Sequence, residues 1–123
     1  MRHLKTYKLF ESVGNDLPDI LLEINDETYW QAECWPESQD GKWVVVIKTI
    51  DEDEEYELEG LTPPPSVIEC IERSIDFMNG EGFTNYQITF DNEDDNQYEE
   101  INLEGVSDLD VWSNNFIRIE FWK

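Results

Sequence analysis

The chain has 123 residues, and its 30 Asp and Glu against 8 Lys and Arg give it a formal net charge of −22. This charge excludes direct binding to nucleic acid or to an anionic membrane surface, because no basic patch is present to neutralise phosphates. The length fits one domain over residues 1–123, and the 13% of aromatic residues provide enough apolar surface for a folded core.

Other features of the composition narrow the class of protein. The longest apolar run, Trp43–Ile47, is far too short to span a membrane, and no apolar segment follows the basic Met1–Phe10 as it would in a signal peptide. Two cysteines, Cys34 and Cys70, are too few for a disulfide framework and suit a reducing compartment. We therefore expect a soluble, cytoplasmic protein; the sequence does not specify its oligomeric state, for which a monomer is favoured.

The first part of the chain has weak strand patterns separated by turn residues. Leu4–Phe10, Ile20–Ile24 and Thr28–Cys34 are the strand candidates. Turn residues stand between them at Gly14–Asp16 and at Asn25–Asp26. The pattern predicts short strands here, and it places the principal helix later in the chain.

Trp43–Ile50 is a strong strand pattern. Its β-branched run predicts a central strand, preceded by the turn residues Gln39–Gly41. A weaker strand, Tyr56–Leu58, follows an acidic turn, and we expect Val44–Ile50 to pair with it as a hairpin.

One helix is predicted over Ser66–Asn79. The prolines of Pro63–Pro65 prevent an earlier start, and Ser66 stands three residues before Glu69, which is the spacing of a capping box. Apolar or small side chains follow one stripe at helical spacing: Val67, Cys70, Ile71, Ser74, Ile75 and Met78. The stripe predicts a helix that packs one face on a sheet and ends at Asn79–Gly80.

Two further patterns alternate with the period of a strand. In Tyr86–Phe90 and in Phe116–Phe121, apolar and polar residues take turns, which predicts one covered face and one wetter face. We expect Tyr86–Phe90 to pair with a weaker strand, Tyr98–Leu103. Together the elements predict an α+β fold: a mainly antiparallel twisted sheet of about 6–8 strands, with one principal helix over residues 66–79 packed on one face.

No set of residues for catalysis or metal binding stands out. The only histidine, His3, lies among cations near the N-terminus, so a Cys–His or Ser–His pair would have to use that one residue. An EF-hand loop starting at Asp91 would need glycine and glutamate where Asn96 and Asn102 stand. The sequence therefore predicts no enzyme activity, no cofactor and no regular metal site, and it leaves an irregular divalent-cation site as a lesser hypothesis.

Two acidic segments dominate the charge pattern. Asp51–Glu59 has seven acids in nine residues, and Asp91–Glu100 has six in ten. A single run of this kind usually forms a solvated face, but two runs on predicted hairpins favour a functional anionic surface. Exposed tryptophans in loops, at Trp35 and Trp112, would add buried contact area to that surface. The predicted partner-binding residues are Asp51, Glu52, Asp53, Glu54, Glu55, Glu57, Asp91, Glu93, Asp94, Asp95, Glu99, Glu100, Trp35 and Trp112.

Three hypotheses explain an anionic surface. The first partner is a basic protein enzyme, most simply a nuclease, whose positive cleft an acidic domain occludes after electrostatic steering. The second is a nucleic-acid-binding defence protein, of the restriction or CRISPR type, that a DNA mimic inhibits. The third hypothesis is an acidic enzyme or a divalent-cation-binding protein.

The chain resembles the immunity proteins of bacterial toxin systems, including those of contact-dependent growth inhibition and of bacteriocins. The resemblance is one of overall character, a small, acidic, aromatic-rich α+β chain without a catalytic set, together with hairpin-like stretches at Tyr29–Trp35 and Gly41–Asp51. It implies a protein that protects its own cell by binding the toxin domain of a cognate effector. No individual functional residue is transferred by it, so the site residues above depend on charge and exposure.

Overall fold

A computed structural model describes residues 2–37, 41–50, 60–92, 97–112 and 114–123, with side chains from Val13 onward. The elements in chain order are α1 (Arg2–Asn25), β1 (Trp30–Glu37), β2 (Lys42–Thr49), α2 (Pro65–Gly80), β3 (Asn85–Asn92), β4 (Gln97–Ile101), α3 (Leu103–Val106) and β5 (Asn115–Trp122). The α+β class is as predicted, but the described residues form one sheet of five strands and three helices, where six to eight strands and one principal helix were expected.

The sheet is antiparallel, with the strand order β1-β2-β5-β3-β4. The predicted hairpin of β3 with β4 is confirmed, with Ile88 opposite Ile101. The predicted pairing of Val44–Ile50 with residues 56–58 is wrong, because β1 and β5 occupy both edges of β2. Residues 56–58 themselves lie outside the described residues.

Helix α1 replaces the two strands and the turn that the sequence predicts before residue 25, since Leu4–Phe10 and Ile20–Ile24 both lie within it. Its buried stripe consists of Val13, Leu17, Leu21 and Ile24. Pro18 has no N–H to donate to the carbonyl of Gly14, at a cost of about 3 kcal/mol, and Gly14 itself is an exposed residue. Burying an aliphatic side chain stabilises the fold by roughly 1.5–3 kcal/mol, so the four together outweigh the proline.

Helix α2 confirms the predicted helix, beginning at Pro65 and ending at Gly80. Its buried residues are members of the predicted stripe: Val67, Cys70, Ile71, Ser74 and Met78. The predicted capping box is wrong, because Pro64 is the N-cap and Ser66 Oγ instead donates a hydrogen bond to Glu27. This hydrogen bond links the first turn of α2 to the segment that follows α1.

The helices cover one face of the sheet, and the hydrophobic core lies between the two layers. The alternation predicted for Phe116–Phe121 is confirmed, because Ile117, Ile119 and Phe121 are fully buried in that core. Arg118 and Glu120 point to the opposite side, since successive side chains of a strand alternate between faces. We call that opposite side, on which no described helix packs, the open face.

Candidate binding surface

The described part of the chain includes five of the predicted partner-binding residues: Trp35, Asp91, Glu99, Glu100 and Trp112. The others lie outside the described residues: Asp51, Glu52, Asp53, Glu54, Glu55, Glu57, Glu93, Asp94 and Asp95. The described strands nevertheless define where both acidic segments leave the sheet.

Both acidic segments are joined to the same end of the sheet. Strand β2 ends at Thr49 and strand β3 ends at Asn92, and both ends flank Phe116 near the start of β5. Because neighbouring strands are about 4.8 Å apart, the two exits are separated by roughly 10 Å. Strand β4 begins at the same end, with Gln97 opposite Asn92.

Trp112 lies beside the residue that follows the first acidic segment. An isolated antiparallel bridge joins Leu61 to Val111 through backbone hydrogen bonds of 2.9 and 2.8 Å. The indole of Trp112 packs against Gly60 so closely that a Cβ at that position would lie 2.7 Å from Nε1. Trp112 is 48% exposed and lies outside helices and strands, as predicted.

Trp35 lies in strand β1, so the prediction that it occupies a loop is wrong. The strand includes Pro36 because β1 is an edge strand of the sheet, where a missing backbone N–H is tolerated. Trp35 is 38% exposed and stands opposite Val44 on the open face. Val44 is fully buried, although no described helix packs on this face.

The open face mixes aromatic side chains with both signs of charge. From β1 to β4 it consists of Gln31, Glu33, Trp35, Glu37, Lys42, Val44, Val46, Lys48, Phe116, Arg118, Glu120, Trp122, Asn85, Gln87, Thr89, Asp91, Tyr98 and Glu100. Arg118 donates to Glu37 over 3.2 Å and to Glu120 over 2.9 Å, so its guanidinium reaches across β2 to β1. Lys42 Nζ lies 5.7 Å from the centroid of the Trp122 ring, within cation–π distance.

A cleft of about 320 Å³ opens on the open face where β5, β3 and β4 lie side by side. It is lined by Gln87, Thr89, Asp91, Tyr98, Arg118 and Glu120. Thr89 Oγ1 donates a hydrogen bond of 2.6 Å to Asp91, and Tyr98, which is 72% exposed, stands opposite Asp91. Glu100 stands beside the cleft opposite Thr89, whereas Glu99 stands opposite Phe90 and belongs to the other face.

The sequence singles out only Asp91 among the cleft residues. The alternation within Tyr86–Phe90 and within Phe116–Phe121 indicates a polar side for each strand. This alternation does not show that β3 and β5 are neighbours in the sheet. The cleft forms because these two strands lie side by side. Nothing in the sequence distinguishes Tyr98 from other strand residues. It lines the cleft because it is paired with Asp91 in the sheet.

The two cysteines are held as neutral thiols. Cys70 is fully buried, its Sγ donates to the carbonyl of Ile20, and burial raises the pKa of its thiol to about 11. Burial also raises the pKa of Cys34. Nowhere in the described ranges do three or more His, Cys, Asp or Glu side chains come together as they would around a metal ion.

None of the described helices combines the length and the apolar composition that a membrane crossing requires. Protein-family models, curated proteins and solved structures were all compared with the chain, and none of them matches it.

Proposed function

We propose that this protein is an immunity protein, which binds and neutralises a basic cognate toxin domain, most simply a nuclease, in the cytoplasm of the cell that makes it. The observation that supports this most directly is the position of the strand ends that bound both acidic segments, roughly 10 Å apart at one end of the sheet. Charges joined to one end of a sheet act together on one partner surface, whereas scattered charges mainly increase solubility.

The mechanism is inhibition by occlusion. A nuclease needs a positive cleft to bind phosphates, and a chain with a net charge of −22 is attracted to such a cleft from a distance. The charge sets the association rate, and contact area from exposed aromatic side chains such as Trp35 and Trp112 slows dissociation. Bound in or beside the positive cleft of the nuclease, the protein excludes the nucleic-acid substrate by its volume and by its negative field.

Co-purification with the products of the neighbouring genes tests the proposal. We expect one neighbouring product to form a complex, to be toxic when expressed alone, and to lose its toxicity when this protein is present. The dissociation constant should increase with salt, because screening weakens the attraction between the charges. A neighbourhood that contains no toxic, basic partner would contradict the proposal, and a complex with a restriction or CRISPR protein would favour the DNA-mimic hypothesis instead.

Charge reversal tests which part of the protein makes the interface. The double change of Glu54→Lys with Glu55→Lys, or of Asp94→Lys with Asp95→Lys, should weaken binding on the order of tenfold or more, mainly through slower association. Survival of full binding and protection in both double variants would show that the interface lies elsewhere.

A matched control makes the same change of charge on the helical layer. Glu72 and Asp76 are exposed on α2, so Glu72→Lys with Asp76→Lys alters the net charge equally on the covered side of the sheet. We expect a smaller loss of binding in this variant. An equal loss would mean that only the net charge matters and that no particular surface binds the toxin.

A further inference from the structure

We infer that the cleft on the open face binds one arginine side chain of the basic partner. The inference rests on the proposed function, because it names the group of the toxin domain that this surface recognises. The cleft lies on the side of the sheet that no described helix covers, and its volume of about 320 Å³ is at the lower end of the range for ligand pockets. It has room for one long side chain and is small for a nucleotide or a cofactor.

Of the two carboxylates that line the cleft, Glu120 is paired with Arg118 and Asp91 has no cation beside it among the described ion pairs. Arg118 is engaged by Glu37 and Glu120, and the bond to Glu37 draws its guanidinium toward β1. Asp91 accepts a hydrogen bond from Thr89, and no described lysine or arginine forms an ion pair with it. A cation brought by a partner would complement Asp91, since a carboxylate has acceptor capacity beyond one hydroxyl donor.

The aromatic side chains beside Asp91 favour a guanidinium over an ammonium. Asp91 stands between Tyr98 on β4 and Phe116 on β5 in the same row across the sheet. A guanidinium is planar and weakly hydrated, so it stacks on a ring while its edge donates hydrogen bonds to a carboxylate. Gln87 adds an amide carbonyl within the same cleft as a further acceptor.

Blocked amino acids test the inference on the whole protein without its partner. We would titrate the ¹⁵N-labelled chain with N-acetyl-arginine-N-methylamide, and compare the blocked lysine and the neutral blocked citrulline at equal ionic strength. The arginine compound should cause saturating shifts of the backbone amides of residues 87–91 and of Tyr98, and citrulline should bind at least about tenfold more weakly. Equal affinity for the lysine compound, or for citrulline, would overturn the assignment of a guanidinium site.

Variants distinguish the cleft from a general attraction of cations to an acidic protein. Asp91→Asn and Tyr98→Ala should each weaken arginine binding about tenfold, because each removes one of the two recognition elements. Glu33→Gln makes the same change of charge on the open face outside the cleft, and Tyr86→Ala removes an exposed tyrosine from the other face. These two controls should bind like the unaltered protein, and a loss as large as in the cleft variants would overturn the inference.

The same variants separate failure of the cleft from failure of the immunity proposal. If the toxin complex forms and neither Asp91→Asn nor Tyr98→Ala weakens it, the cleft inference is wrong and the proposed function stands. If blocked arginine binds in the cleft and no neighbouring gene product forms a complex, the guanidinium site stands and the immunity proposal is wrong.

Discussion

The two faces of the sheet consist of alternate residues of the same strands, and they differ in almost every physical property. On β5 the side chains of Ile117, Ile119 and Phe121 are fully buried under the helices, while Arg118 and Glu120, which alternate with them, are partly exposed and paired with each other. On the covered face Ile117, Ile119 and Phe121 each have apolar or aromatic side chains beside them on both neighbouring strands, whereas the rows of the open face combine carboxylates, cations and aromatic rings.

Under the proposed function, residues at alternate positions along each strand serve either stability or binding, according to the face on which they lie. Ile119 and Glu120 are adjacent in the chain, but their side chains lie on opposite faces of the sheet. A substitution at one should therefore change the free energy of unfolding, and a substitution at the next should change binding. Four measurements test or refine that separation.

The largest effect is expected from Ile119→Ala. Ile119 is fully buried in the central strand, opposite Val45 on one side and Ile88 on the other. Removing its side chain should lower the free energy of unfolding by about 2–5 kcal/mol, measured by urea denaturation. Glu120→Gln is the control and should change it by less than about 1 kcal/mol. Similar losses in both variants would show that the two faces are not independent.

The second effect is a loss of stability at alkaline pH that depends on Cys70. Burial raises the pKa of this thiol from 9.0 to about 11, so the folded state holds the proton more tightly than the unfolded state. The stabilisation is complete below pH 9 and is lost as the pH rises toward 11, by up to about 1.4 kcal/mol per pH unit. Unfolding measured between pH 8 and 11 in the protein and in Cys70→Ala isolates this contribution from that of other titrating groups. If the free energy of unfolding depends on pH in the same way in the two proteins, the predicted contribution of Cys70 is wrong.

Gly14→Ala tests the helix that covers the sheet. Gly14 lies within α1, is exposed, and has no atom within 4 Å of an added Cβ. Alanine should therefore raise the free energy of unfolding by about 0.5–1 kcal/mol, because it restricts the unfolded chain and suits a helix. In the turn that the sequence predicts at Gly14–Asp16, alanine would bring no such gain. Urea denaturation of both proteins, followed by circular dichroism, shows whether Gly14 lies in a helix or in a turn.

The smallest effect is expected from the ion pair between Arg73 and Glu23, which joins α2 to α1. Both side chains are half exposed, so a double-mutant cycle with Arg73→Ala and Glu23→Ala should give a coupling of about 0.2–1 kcal/mol. The coupling should decrease at high salt. A coupling of several kcal/mol would mean that the surface of the helical layer contributes to stability as much as its core.

The elements that could be predicted from the sequence are those in which local pattern and packing agree. Helix α2 combines an apolar stripe with a proline start, and β3 and β5 alternate as strands with one wet face do. The pattern also separates Arg118 and Glu120 from the core residues next to them. In these segments the local sequence pattern favours the same secondary structure that the fold contains.

Helix α1 and the cleft could not be predicted, for two different reasons. Gly14 and Pro18 favour a turn locally, and they lie in a helix only because Leu17 and its stripe are buried against the rest of the core. The cleft depends on the register of β5 with β3, two strands that are distant in the sequence. A local sequence pattern does not show which distant strands pair with each other, or which of their residues stand opposite one another.

The position of β5 has a consequence for how the chain folds as it is synthesised. The hairpins β1–β2 and β3–β4 form from adjacent parts of the chain, but among the described strands only β5 pairs with both of them. Until Asn115–Trp122 has been translated, the inner edges of β2 and β3 lack their partner, and unpaired strand edges promote association between nascent chains. The strong negative charge makes nascent chains on one polysome repel each other during that interval. The acidity that the proposed function assigns to toxin binding therefore also disfavours pairing between the unfinished sheets of neighbouring chains.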